Sequence, residues 1–266
     1  MYLWHFFRHG DSAVLEPLKE RFDYILANRP TSSLWFPTRE ERTADNNCQE
    51  RWCWADALYM APATWFGLSK ATGDPRYANF AHEEYKAVYD YLYDHEHHLF
   101  YRDSRYFERR GEYGEKVFWS RGVGWVFAGL ARTIDVLPKN HPETAFYLDL
   151  FQKMAAKIQS IQTKEGHWPM SLLAGDHAPQ PETSGTAFFT YGFAWGMNKG
   201  LLPKESYMPT VLNAWQSLES AIHADGMLGW VQPIGAAPED VQYTDTQLYG
   251  AGGFLLAATE MARLLR

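Results

Sequence analysis

A chain of 266 residues with 46% apolar content can bury one sizeable core, and no Pro/Ser-rich stretch divides it, so a single domain over residues 1–266 is expected. The formal net charge of -7 is spread along the sequence. That argues against nucleic acid or an anionic membrane as the main partner and favours a neutral or polar small substrate. No run nears the ~20 apolar residues of a bilayer span, and the first residues show neither a basic leader nor a small-residue cleavage site, so the chain reads as soluble.

Taken in order, residues 1–9 (Tyr2, Leu3, Trp4, Phe6, Phe7) look like the last half of a buried helix, and residues 12–28 form an amphipathic one followed by Leu34-Trp35-Phe36. Cys48 and Cys53 lack the spacing of a zinc site or a disulfide framework and read as two buried thiols. Next comes Arg51-Trp52-Cys53-Trp54-Ala55-Asp56-Ala57-Leu58-Tyr59-Met60, one acid among aromatics at the start of an apolar helix over 56–71. With 11 tryptophans in the chain, flat rings with a polar edge suit the C–H faces of sugars.

A repeat follows. Asp74-Pro75, His141-Pro142-Glu143-Thr144 and Pro203-Lys204-Glu205 each open an amphipathic helix with proline near the first turn, where its missing N–H costs nothing. Tyr77, Phe80, Ala81, Tyr85, Val88 and Leu92 keep helical spacing, as do Tyr147, Leu150, Met154, Ile158 and Ile161. Each helix is followed by a short turn ending in an aromatic, at Phe100-Tyr101, Trp168 and Trp230. Between them lie Gly/Ala/aromatic-rich helices with few charges, at 56–71, 119–137, 184–201 and 245–264. Their glycines would each cost about 1 kcal/mol in an exposed helix, so close packing on most sides is expected.

Alternating inner buried and outer amphipathic helices describe an all-α toroid, an (α/α)6 barrel if six pairs close it. Parallel inner helices bring their N-termini to one mouth, with Asp56, Ser120, Arg121, Glu182, Ser184, Asp245 and Thr246. Capping explains Ser184 and Asp245. It does not explain Arg121, because a cation at a helix N-terminus opposes the macrodipole, so an anionic partner from protein or ligand is expected. Five inner helices, the first partial, and four outer ones fall short of six pairs, which leaves a smaller ring or a chain lacking roughly the first three helices.

Trp54-Ala55-Asp56-Ala57-Leu58-Tyr59-Met60-Ala61, Phe118-Trp119-Ser120-Arg121-Gly122-Val123-Gly124-Trp125 and Glu182-Thr183-Ser184-Gly185-Thr186-Ala187 together resemble the unsaturated glycuronyl and rhamnogalacturonyl hydrolases of glycoside hydrolase families 88 and 105. Gly250-Ala251-Gly252-Gly253-Phe254-Leu255 resembles them too, so the likeness covers essentially the whole chain. The resemblance implies an (α/α)6 barrel, no metal or organic cofactor, and an oligosaccharide substrate whose non-reducing-end uronic acid carries the C4=C5 double bond left by a polysaccharide lyase. Protonation at C4 and addition of water at C5 give a hemiketal that opens and releases the neighbouring sugar. Asp56 matches the proton donor, and burial among Trp52, Trp54 and Tyr59 would disfavour its charged form.

Trp119, Arg121 and Trp125 match positions lining the sugar pocket. Arg121 offers a guanidinium for the uronate carboxylate, and Trp54 would stack on a sugar face or simply pack in the core. Where the rhamnogalacturonyl branch has a histidine followed by Gly-Trp-Asp, this chain has Tyr101-Arg102-Asp103-Ser104, making Arg102 and Asp103 substrate contacts or a surface pair. The loop 36–50 is longer and more charged than that branch implies. The family's second carboxylate would fall upstream of Met1. A homo-oligomer covering an open barrel side, and a bacterial cytoplasmic or periplasmic setting, complete the expectation.

Three rivals stand beside it. An inverting glycosidase would pair Asp56 with Asp103 or Glu182 at about 6.5–9.5 Å. A non-catalytic carbohydrate-binding toroid would hold sugar without turnover, and an epimerase would use mouth histidines, a place that His5, His9 and His167 do not convincingly take.

Overall fold

The computed structural model describes residues 1–43, 46–178 and 180–266. Ala44 and Asp45 of the charged loop lie outside the described residues. Among those described, the main elements are α1 (Tyr2–His9), α2 (Glu16–Ala27), α3 (Ala57–Met60), α4 (Pro62–Thr72), α5 (Pro75–Leu92), α6 (Ser120–Val136), α7 (Thr144–Ser160), α8 (Thr183–Asn198), α9 (Lys204–Ser220) and α10 (Leu248–Leu264).

Two layers emerge from the packing. In chain order α1 packs on α4, α4 on α6, α6 on α8 and α8 on α10, while α5, α7 and α9 cover α4, α6 and α8 from outside. The composition explains the division. Every residue from Thr183 to Met197 of α8 is buried, as glycine and aromatic content without charge demands, whereas α5 buries only Tyr77, Ala78, Phe80, Ala81, Tyr85, Val88 and Leu92. The end members of the inner series keep large apolar side chains exposed, Trp4 on α1 and Leu248 on α10.

The turns after the outer helices share one device. A short antiparallel hairpin pairs β1 (Tyr93–Asp94) with β2 (Leu99–Phe100), Tyr93 opposite Phe100. Its turn residue His98 has φ 53, and Gly166 and Gly226 take φ 89 and 88 at the matching turns after α7 and α9. Each left-handed residue donates its amide to a carbonyl three or four residues back, Asp94, Thr163 and His223.

Four expectations are corrected. The helix over 56–71 is two helices: Pro62 has no N–H to continue the α3 ladder, and the chain turns at Ala61 before α4 begins. The inner helix over 184–201 ends at Asn198, because Gly200 turns left-handed and the Leu201 amide returns to the Gly196 carbonyl. Asp245 does not cap α10; its Oδ2 accepts the Gln242 amide and the helix starts after Gln247. Cys48 and Cys53 are not free thiols but a buried disulfide with Cα atoms 5.7 Å apart, since the 3₁₀ turn Cys48–Glu50 folds one cysteine back on the other.

Candidate active site

The inner helices present Asp56, Ser120–Arg121, Thr183 and Leu248 at their N-terminal ends. Asp56 immediately precedes α3, yet its carboxylate makes no capping hydrogen bond to that helix. Its Oδ2 is buried without a hydrogen-bond partner, while the side chain as a whole keeps 16% exposure. Burial pushes the carboxyl above the ordinary aspartate range; the Arg102 charge, the residue's own amide and Arg121 pull the other way, and Asp103 adds a further upward push. A capping aspartate would show the opposite shift, so the local role that the position allows is not the one the side chain takes.

Facing it is Arg102, whose Nε lies 3.8 Å from Asp56 Oδ2 and is likewise buried and unbonded. The segment carrying it is tied to the motif by the Ala55 amide, which donates to the Arg102 carbonyl at 2.8 Å. Asp103 stands behind, fully buried. It accepts Nη1 of Arg102 at 2.5 Å, and Nε and Nη2 of Arg105 at 2.8 Å each. Although burial alone would raise its pKa, the Arg105 and Arg102 guanidiniums hold it below the usual carboxylate range. Both guanidiniums lie over the Phe36 ring, at 5.0 and 4.2 Å. Asp103 is therefore not a surface residue, and both of its carboxylate oxygens are taken by the two arginines.

Arg121 is also buried, and among the described residues no carboxylate pairs with it. Nη1 and Nη2 donate to the carbonyls of Gln232 and Pro233 at 2.7 and 2.9 Å. Its guanidinium lies between the Trp119 and Tyr249 rings, 4.4 and 4.5 Å from their centroids. Carbonyl dipoles and ring faces stabilise the charge without neutralising it, which answers the question the helix dipole raised. Trp119 is 2% exposed and gives its Nε1–H to Gln232, so it supports Arg121 more than it faces solvent. Trp125 is half-buried against Tyr59 and Phe188, and half-buried Trp54 meets the Phe36 ring edge-on.

The second carboxylates of the glycosidase rival are engaged elsewhere. Glu182 is fully buried as the cap of α8, accepting Ser184 N, Ser184 Oγ, Gly185 N and Gln232 N, and it, not Ser184, does the capping. Asp103 is held by two arginines. The histidines of the epimerase rival are not one group: His5 and His9 ride together on α1, whereas His167 lies buried in the turn after α7. Among the described residues, the one cluster with metal-ligand geometry is Asp94, Glu96 and His97. Lys116 Nζ already sits there, 2.8 Å from both acids. Gln232, Tyr249, Arg105 and Phe36 were not legible as site residues: Gln232 and Phe36 arrive on loops and Tyr249 on the first turn of α10, all remote in sequence, while Arg105, two residues after Asp103, carries no motif of its own.

Comparison with known proteins adds the wider setting. The family described as Glycosyl Hydrolase Family 88 matches residues 1–265. A curated relative, an unsaturated 3S-rhamnoglycuronyl hydrolase of Alteromonas sp. (strain LOR), is 43% identical over 264 residues, 98% of this chain. The chain spans 64% of that relative's length. A solved structure described as a polysaccharide lyase superposes with TM-score 0.86 at 37% identity, covering 99% of this chain and 71% of that one. A family 88 glycosyl hydrolase from Bacteroides vulgatus does so with TM-score 0.84 at 35% identity, covering 99% and 72%.

Proposed function

The chain belongs to glycosyl hydrolase family 88 and has the helical fold of its (α/α)6 barrels, and from that premise we propose that it hydrates the C4=C5 vinyl ether of unsaturated uronyl oligosaccharides, with Asp56 as proton donor. The observation that carries this reading is the Asp56 carboxyl, which sits at a helix start without capping it, has its charged form disfavoured by burial, and stands opposite an arginine it does not bond. An upward shift of this kind is what suits a carboxyl to deliver a proton to C4. Water then adds at C5, the hemiketal opens, and the glycosidic oxygen leaves with the neighbouring sugar.

Arg121, held by the Gln232 and Pro233 carbonyls and without a carboxylate partner among the described residues, supplies positive charge toward the uronate rather than a free pair of donors. Trp54 and Trp125 are the half-buried rings for sugar faces. The name of the Alteromonas relative supports a rhamnose as the leaving sugar. The test follows the ultraviolet absorbance of an unsaturated uronyl-rhamnose disaccharide. Absorbance should fall with the wild-type chain and persist with Asp56→Asn, which loses about 10²–10⁴-fold in rate. Equal turnover by the asparagine variant removes Asp56 from the role, and turnover of saturated aryl glycosides instead would favour the glycosidase reading.

A further inference from the structure

Arg102 and Asp56 present two buried, unbonded polar atoms to each other across 3.8 Å, about 1 Å longer than a charge-assisted hydrogen bond. Left to itself, a guanidinium this close to a carboxyl would close the gap and hold it ionised, which is the wrong state for a proton donor. Three features keep Arg102 back. Its Nη1 is bonded to Asp103 Oδ2, its guanidinium lies over Phe36, and its main chain is anchored through its carbonyl to Ala55. Asp103 in turn cannot follow Arg102 toward Asp56, because Arg105 grips it through Nε and Nη2 and its Oδ1 also accepts the Arg105 amide.

We propose that Asp103 is a positioning residue of this site: by holding Arg102 through Nη1 it keeps the guanidinium from pairing with Asp56, so that the donor carboxyl stays free to carry its proton. This rests on Asp56 being the donor and assigns Arg102 and Asp103 a role other than touching sugar. Among the described residues, the charged groups that act most on Asp56 are Arg102 and Asp103 from the segment after β2 and Arg121 from α6. Of these Arg121 is bonded to the Gln232 and Pro233 carbonyls, leaving Arg102 as the charge able to close on Asp56.

The test titrates Asp56 directly in the full chain, by carbon NMR of γ-labelled aspartate with the resonance assigned from Asp56→Asn. Arg102→Met should move the Asp56 midpoint up by about one pH unit, because an opposing charge is lost. Asp103→Asn should move it down, because Arg102 is released onto Asp56. In the double variant only the smaller downward movement from the lost Asp103 charge should remain, so that its midpoint lies just below that of Arg102→Met. A downward movement of equal size in both backgrounds overturns the proposal, since it reports only the lost Asp103 charge. An unmoved midpoint in folded Arg102→Met protein overturns it too, and that variant serves where Asp103→Asn fails to fold. In turnover, Asp103→Asn should lower kcat with little change in KM and recover as pH is lowered, a rescue that a merely structural defect does not show. The titration needs no substrate, so its failure is separable from a failure of the hydration reading.

Discussion

A Cβ built on Gly129 of α6 would stand 2.5 Å from the carbonyl oxygen of Leu58, two residues beyond Asp56. The same atom would lie 2.9 Å from Tyr59 Cα, so the obstacle is backbone and cannot rotate away. Glycine lets α6 lie directly against the short helix that carries the donor. Gly129→Ala should therefore destabilise the fold by about 1–3 kcal/mol in a denaturant titration. It should also lower kcat by displacing Asp56, whereas Gly252→Ala on α10, with open space around it, should do neither.

The raised Asp56 carboxyl predicts two pH dependences of definite sign. The donor must be protonated, so the rate should fall as pH rises through its elevated pKa, and this alkaline limb should disappear in Asp56→Asn along with the activity. For stability, the folded state binds this proton more tightly than the unfolded chain, whose aspartate has a value near 3.8. Asp56 therefore costs stability progressively as pH rises from that value through the folded one. Asp56→Asn should melt above wild type at alkaline pH, with the difference shrinking toward acid; an equal difference at every pH would show that Asp56 is not buried in its neutral form.

Arg121 combines two carbonyl bonds with two ring faces. Removing it should lower kcat/KM by roughly ten- to a hundredfold, the scale of about 1.5–3 kcal/mol for a hydrogen bond to a charged group. Arg121→Lys should not restore the loss, because an ammonium cannot span both carbonyls and lie flat between Trp119 and Tyr249. Steady-state kinetics on the unsaturated disaccharide would show it, the defect falling mainly on KM.

The Cys48–Cys53 bridge closes a loop of sequence separation 5 just before Trp54 and Asp56. Loop-closure entropy assigns such a bridge about 2 kcal/mol. Replacing both cysteines with alanine should lower the unfolding free energy by that order, and a reductant should lower the melting temperature of the wild type but not of the double variant.

The sequence by itself determined the alternation of helix types, the turns after each outer helix and the candidate donor. Those features rest on periodicity, proline and glycine placement, and one contiguous motif, all of which act within a few turns of chain. Boundaries slipped where local chemistry was more detailed than the pattern, as at Pro62 and Gly200. What surrounds each mouth residue was settled only by the tertiary structure. Arg121 is held by carbonyls 111 and 112 residues away, and Asp56 faces an arginine from the segment after β2. Asp103 is buried and paired because Arg102 and Arg105 close over it, and two cysteines without a recognised spacing met because a 3₁₀ turn lies between them. For Arg121 and Asp56 the physical reason is long-range, while for Asp103 and the cysteines it is a local backbone turn that periodicity does not report. A side chain's protonation, partners and exposure depend on which loops converge on it, and no period in the sequence encodes that convergence.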